Sequence, residues 1–227
     1  MNCNEMSKEQ MTNYARISGR VVDKPKLSHQ IEGESFFEFK VVVGRLSKVC
    51  DTIPVTISER TLMGQEINSG DFVEVVGEYR SYNKLCNEKS KLVLHLFAKS
   101  CGRLQEENFV NEVRLIGFLC KEPIYRKTPF NREICDILLA INRTNYHKSD
   151  YIPCILWGRN ARFIAEQSVG SKIEIVGRIQ SREYVKTFEN GQSEVKTAYE
   201  VSCQKVSLFS NVETINKGSA EIEMVGV

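Results

Sequence analysis

The chain has 227 residues, of which 41% are hydrophobic and 26% are charged, and its net charge is +2. Such a composition is typical of a globular protein and excludes a disordered chain or a strongly basic, histone-like one. No apolar run reaches the ~20 residues of a membrane-spanning helix, and residues 1–5 lack the basic and apolar regions of a signal peptide, so we expect a cytoplasmic protein.

The sequence repeats itself at a spacing near 100 residues, which predicts two similar domains. Gly19 recurs as Gly117, 98 positions later, and Gly77 recurs as Gly177, 100 positions later. The other repeated residues are Asn13 and Asn111, Pro25 and Pro123, Arg45 and Arg143, Ile53-Pro54 and Ile152-Pro153, Gly70 and Gly170, and Ser81 and Ser181. We therefore predict domains at residues 1–102 and 111–210, a polar linker at 103–110 and a short tail at 211–227.

Each unit is predicted to consist of five strands and one short helix. In the first unit the segments with a β-rich pattern are 14–22, 36–43, 52–57, 72–82 and 92–98. In the second unit they are 112–120, 133–143, 150–157, 172–186 and 195–208, with apolar residues at helical spacing in 158–168. Three strands, a helix and a hairpin of two more strands form the element order of an OB-fold, a five-stranded Greek-key barrel. We predict an all-β protein with two tandem OB-folds.

Alternation along two strands of the second unit separates core residues from outward-facing ones. Ile152, Cys154 and Leu156 are predicted to fill the barrel, which places Tyr151 and Trp157 on the opposite face. On the following strand the residues predicted to face outward together are Arg182, Tyr184 and Lys186. OB barrels bind single-stranded nucleic acid with rings that stack on bases and a basic groove that follows the phosphates. The second unit therefore offers both features.

The candidate nucleic-acid contacts all lie in the second unit, where residues 111–210 hold 15 Lys and Arg against 11 Asp and Glu. Phosphate binding depends on Lys and Arg, and residues 1–110 hold 15 of each charge. The candidate rings are Tyr146, Tyr151, Trp157, Tyr184 and Phe130, and the candidate cations are Arg126, Lys127, Arg132, Arg143, Lys148, Arg159, Arg182 and Lys186. The alternative interpretation makes Trp157 and Tyr151 packing residues and the loop cations a solvated surface.

Five segments of the second unit resemble, in order, the bacterial single-stranded-DNA-binding protein family. They are NEVRLIGFLCKEPIYRKTP, ICDILLAINR, SDYIPCILWGRNAR, GSKIEIVGRIQSREY and AYEVSCQKV, and they cover about residues 111–209. Residues 13–101 resemble the same family more faintly, through Gly19, Pro25, Gly70 and Gly77. The resemblance implies that rings on the third strand and on the last hairpin stack on DNA bases. Carried over by position, these roles fall on Tyr151, Trp157 and Tyr184, with Tyr146 less closely matched.

The same resemblance implies a function and an assembly. It implies a non-enzymatic protein that binds single-stranded DNA with little sequence preference and protects or organises it in replication, repair or recombination. It also implies four OB-folds, here as a homodimer, with replication or repair proteins as further partners. The chain departs from the family because its last residues, SAEIEMVGV, lack the acidic, aromatic tip with which the family recruits such partners.

The first unit departs from the second at the positions of the candidate site. Thr52, Ser58 and Lys84 stand where the second unit has Tyr151, Trp157 and Tyr184, and Glu78 stands in place of Arg178. The aromatic residues of the first unit are Phe36, Phe37, Phe39 and Tyr79, which we expect in the core, and Tyr82, which we expect to be exposed. This unit is therefore expected to bind weakly or to serve assembly.

The eight cysteines do not predict a metal or another cofactor. They form no C-x-x-C pair, and His29, His95 and His147 lie far apart in sequence. The cysteines expected to be buried thiols among aliphatic residues are Cys135, Cys154 and Cys203. No phosphate-binding glycine loop, nucleophile elbow, H-E-x-x-H motif or catalytic triad is apparent, so no enzyme is predicted.

Two alternatives to DNA binding remain open at the level of sequence. One is a protein-interaction module of the primosome-accessory type, similar to primosomal replication protein N, with weak single-strand binding. The other is RNA binding, because OB-folds stack either nucleic acid and no motif in the chain is specific for the 2′-hydroxyl.

Overall fold

The computed structural model describes residues 11–62, 64–86, 89–143, 148–187 and 191–209. The first half contains β1 (Asn13–Val21), β2 (Lys26–Ile31), β3 (Glu34–Gly44), β4 (Cys50–Ser58), α1 (Glu59–Leu62), β5 (Phe72–Cys86) and β6 (Lys89–Arg103). The second half contains β7 (Asn111–Leu119), β8 (Ile124–Lys127), β9 (Glu133–Asn142), β10 (Ser149–Trp157), α2 (Arg159–Ala165), β11 (Lys172–Thr187) and β12 (Ser193–Leu208). Within these residues, no helix is long and apolar enough to span a membrane.

Each half of the chain closes into a barrel by the same pairings. In the first half β1 pairs with both β3 and β5, and β4 pairs with β6 in parallel. In the second half β7 pairs with both β9 and β11, and β10 pairs with β12 in parallel. These closures produce two five-stranded barrels in tandem, which confirms the prediction of an all-β protein with two OB-folds.

The barrel interiors follow the predicted alternation. Ile152, Cys154 and Leu156 are buried in the second barrel, and Ile173 and Ile175 of β11 are buried with them. Cys135, Cys154 and Cys203 are also buried, as the sequence predicts. Burial raises the pKa of the Cys203 thiol to about 12, so this side chain is neutral and packs as an apolar group.

Several elements differ from the sequence prediction. The short strands β2 and β8 were not predicted, and β8 occupies residues 124–127, which were assigned to a loop. Every residue of both strands is exposed, so neither shows the alternation that identifies a half-buried strand. Helix α2 ends at Ala165 rather than near residue 168. Gly170, with φ of +91°, lies in the turn before β11.

The two barrels are joined edge to edge by antiparallel pairing of β1 with β7, with Ala15 opposite Val113. This pairing connects all twelve described strands into one hydrogen-bonded sheet. The segment before β7 folds back on the first barrel. Ser18 donates its backbone N–H to Val110 O at 2.9 Å and accepts the Val110 N–H on its hydroxyl at 2.7 Å. Phe109 packs edge-on against Phe72 with ring centroids 5.2 Å apart.

Two reciprocal polar clusters cross between the barrels. Asp150 of β10 is buried, accepts two hydrogen bonds from Arg143 at 2.6 and 2.9 Å, and accepts the backbone N–H of Ser81 of the first barrel at 2.6 Å. Asp51 of β4 is buried in the same way against Arg45 and accepts the Ser181 N–H of the second barrel at 2.7 Å. The repeated Arg and Ser positions of the sequence are therefore parts of a pseudo-symmetric junction.

Candidate nucleic-acid interface

Three rings lie exposed on the outside of the second barrel. Tyr151 and Trp157 on β10 are 43% and 41% exposed, and Tyr184 on β11 is 39% exposed. Each of the two β10 rings is separated from the core because its neighbours in sequence, Ile152 and Leu156, fill the barrel interior. Exposed rings on the surface of a barrel are available to stack on bases.

The outer surface near these rings carries charges of both signs. Arg182 is exposed beside Tyr184 on the β11–β12 arm. Asp136 of β9 is paired with Arg126 at 2.8 Å, so this candidate cation is partly neutralised. Glu200 of β12 is half-buried, and burial raises the pKa of its carboxyl group.

The other candidate residues of the sequence occupy different surroundings. Phe130 is 87% exposed at the tip of the β8–β9 hairpin. The exposed cations are Lys127, Arg132, Lys148, Arg159, Arg182 and Lys186. Arg143 is bound to Asp150 and donates to Ser81 O at 3.0 Å with only 20% of its side chain exposed, so its observed contacts are structural. Tyr146 lies outside the described residues.

Sequence reasoning missed an aromatic feature of the first barrel. Phe39 and Tyr79 are buried as expected, and Phe37 packs against the core. The core assignment of Phe36 is wrong, because this ring lies on the outside and stacks on His29 with centroids 5.0 Å apart. In the segment LVLHLFAK both alternating sets contain apolar residues, so the pattern does not identify the outward-facing rings of β6.

The cysteines and acidic residues do not form a metal centre in the part of the chain that the structure describes. No three His, Cys, Asp or Glu side chains there gather within ligand distance of a common point. Burial raises the pKa of the Cys101 thiol to about 12 and that of Cys135 to about 11, so these groups are poor metal ligands at neutral pH.

Known proteins resemble this chain in both sequence and fold. The sequence model described as the single-strand binding protein family matches residues 110–209. A single-stranded DNA-binding protein of Enterococcus faecalis is 33% identical over 108 residues, which are 45% of this chain and 55% of that protein. Single-stranded DNA-binding protein 1 of Streptococcus agalactiae is 31% identical over 116 residues, which are 48% of this chain and 69% of that protein.

Fold similarity extends over both barrels. The crystal structure of the wild-type single-stranded DNA binding protein from Thermus aquaticus superposes on this chain with a TM-score of 0.68. The match covers 93% of this chain and 96% of the Thermus chain. The sequences are only 18% identical over that match, so the likeness concerns the fold. The aligned part of this chain corresponds to about half of the Enterococcus protein and about two thirds of the Streptococcus protein. By its 31% identity to the Streptococcus protein, of which it covers 69%, this chain belongs to the single-strand binding protein family, whose sequence model also matches its second half.

Proposed function

We propose that this chain binds single-stranded DNA with little sequence preference, through the outer face of the second barrel. The observation that carries this proposal is the exposure of Tyr151, Trp157 and Tyr184 on that face, next to the exposed cation Arg182. Base stacking on an aromatic ring contributes about 1–3 kcal/mol per base and is tolerant of sequence. The role is a holding one, without chemical turnover, in replication, repair or recombination.

The names of the relatives favour DNA over the alternatives. Both relatives described above are named single-stranded DNA-binding proteins. Their names therefore support DNA as the main ligand, rather than RNA or a protein partner. We propose domains at residues 1–102 and 111–210, with the second as the main DNA-binding domain. The ordered segment before β7 packs on β1, so the proposed linker at 103–110 is short and anchored rather than free.

We also propose that two copies of the chain associate, so that four OB-folds are displayed together. The resemblance to a family with four OB-folds supports this assembly. Sedimentation equilibrium should give twice the chain mass of 25.9 kDa. A mass that stays at one chain at micromolar concentration would rule the dimer out.

Binding should be visible through Trp157, the single tryptophan of the chain. Titration with oligo-dT is expected to change its fluorescence saturably, and affinity is expected to fall as salt rises because counterions are released from the strand. Duplex DNA of equal length serves as the control and should have little effect. Absence of binding in both this titration and a gel-shift assay would reject the proposal.

Tyr184→Ala is expected to weaken oligo-dT binding by about 1–3 kcal/mol, or roughly 5- to 150-fold, because one stacking platform is lost. The matched control is Val185→Ala, which removes an exposed apolar side chain on the opposite side of the same strand. Trp157→Ala, measured by fluorescence anisotropy of a labelled strand, should resemble Tyr184→Ala. Full affinity in both folded ring variants would reject this face as the binding site.

Arg182→Gln is expected to reduce the steepness of the salt dependence by about 0.7 in log–log units, the value for one phosphate contact on a single strand. The comparison variant is Lys24→Gln in the first barrel, whose ammonium pairs with Glu66 at 3.2 Å. It should leave the slope unchanged. Equal slopes in all three proteins would show that Arg182 does not contact phosphate.

A further inference from the structure

A row of aromatic side chains runs across the outside of the first barrel, on strands β2, β3, β5 and β6. We call it the ring row; its members are His29, Phe36, Phe97, His95 and Tyr82. Successive ring centroids lie 5.0, 6.0, 6.4 and 5.4 Å apart along this order. The guanidinium of Arg80 lies over the Phe97 ring, 3.8 Å from its centroid. The spacing makes the row one continuous surface rather than separate exposed residues.

The ring row is not part of the barrel core. On β6, Leu94 and Leu96 are buried inside the barrel, whereas His95 and Phe97 project to the other side and are only partly covered. Tyr82 is 41% exposed at the end of the row. Solvent-facing sides of antiparallel sheets usually carry polar residues, so a row of rings there points to a ligand that covers it.

The ring row occupies the surface that corresponds to the proposed site of the second barrel. The β5–β6 pair has a register shift between Val76 and Gly77, and the β11–β12 pair has one between Val176 and Gly177. The strands of the two pairs can therefore be aligned residue by residue. His95 lies opposite Arg80 in the first barrel, and Glu200 lies opposite Gln180 in the second, so His95 and Glu200 are equivalent positions. The first barrel therefore has Thr52 and Ser58 where the second barrel has rings, and its own rings lie on neighbouring strands of the same face.

At one position the ring row carries an imidazole where the second barrel carries a carboxyl group. Where the second barrel has the carboxyl group of Glu200, the first has the imidazole of His95, fixed by a 2.6 Å hydrogen bond between its Nδ1 and Thr56 Oγ1. Burial lowers the pKa of His95 to about 4, so the ring is neutral at physiological pH and can present an uncharged face. Lys40 is exposed on β3, the strand that also carries Phe36.

The ring row ends beside the second barrel. Ser81, the residue before Tyr82, accepts the backbone N–H of Tyr151 on its hydroxyl at 2.7 Å. The strand that carries Tyr82 therefore lies directly against the strand that carries Tyr151.

We propose that the ring row is a second binding surface for single-stranded DNA. Its rings would stack on bases of the same DNA molecule that occupies the second barrel. This inference rests on the proposed function of the second barrel. It assigns the first barrel a direct share in binding, through rings on β2, β3, β5 and β6 rather than on β4. The DNA would run along the ring row from Tyr82 toward Phe97.

The test compares two lengths of oligo-dT on the full-length chain. One OB-fold covers about 4–16 nucleotides, so an oligomer of about 8 nucleotides fits one barrel and one of about 30 can reach both. The variant is the double change Tyr82→Ala and Phe97→Leu, in which leucine keeps the apolar packing. We expect it to lose at least about fivefold in affinity for the long oligomer and little for the short one.

The matched control is Leu85→Ala, an exposed apolar residue on the other side of the β5 strand, which should behave as the unchanged protein. Ultraviolet crosslinking of the unchanged protein to the long oligomer should label a peptide that contains Tyr82 or Phe97, and it decides the matter if the double variant fails to fold. Equal affinities of the folded double variant and the control, or no crosslink in residues 80–97, would overturn the inference. If the unchanged protein binds neither oligomer, the proposed function fails as well.

Discussion

Asp150→Ala is expected to lower the free energy of unfolding by about 3 kcal/mol, because it removes the carboxylate of a buried ion pair and leaves the Ser81 N–H without its acceptor and the Arg143 charge without its counterion. Asp150 is buried and accepts hydrogen bonds from Arg143 of its own barrel and from the Ser81 N–H of the other. The change therefore also weakens the junction between the barrels. Denaturation in urea, followed by circular dichroism, measures the effect.

The comparison for Asp150→Ala is Glu66→Ala, which removes an exposed carboxylate paired with Lys24. Exposed ion pairs contribute about 0–1 kcal/mol, so this variant should unfold close to the unchanged protein. Asp51→Ala, the pseudo-symmetric equivalent, should resemble Asp150→Ala. Equal stability of the Asp150 and Glu66 variants would show that the junction contributes little to the fold.

Gly177→Ala is expected to destabilise the second barrel by about 3 kcal/mol, the upper range for overpacking in a well-packed region. A Cβ atom at this position would lie 2.3 Å from Ser202 O and 3.1 Å from the Cα of Cys203 on the paired strand. Both obstacles belong to the backbone, so β11 and β12 would have to separate. Thermal unfolding should show a lower midpoint.

The control for this clash is Gly102→Ala, because a Cβ there meets no atom within 4 Å. Its strand conformation needs no positive φ, and the substitution should be neutral or stabilise by up to about 1 kcal/mol. Gly77→Ala, with a Cβ 2.0 Å from Phe97 O, should repeat the effect of Gly177→Ala in the first barrel. Similar melting of the Gly177 and Gly102 variants would contradict the close approach of the strands.

The two barrels carry rings on the same outer face of one fold, but on different strands. The second places its rings on β10 and on the β11–β12 arm, at Tyr151, Trp157 and Tyr184. The first has small polar residues at the equivalent β4 positions and carries its rings on neighbouring strands. The rings of the first barrel are the basis of the second binding surface proposed above.

The sequence by itself determined the architecture of this protein. The repeat near 100 residues established two similar units, and the period-two alternation placed Ile152, Cys154 and Leu156 inside and Tyr151 and Trp157 outside. These features depend on short-range periodicity and on composition, which are visible along the chain. The repeated glycines were also visible, although the carbonyl groups that exclude a side chain at Gly177 were not.

Only the tertiary structure decided which charged and aromatic side chains remain available to a ligand. Arg143 was a candidate phosphate contact, but its partner Ser81 lies 62 residues away and across the barrel junction. Phe36 is expected in the core from the sequence alone, and His95 and Phe97 alternate with leucines in a segment whose two faces both contain apolar residues. Local pattern cannot choose between two apolar faces of a strand; the closure of the barrel does, because only one face can be inside.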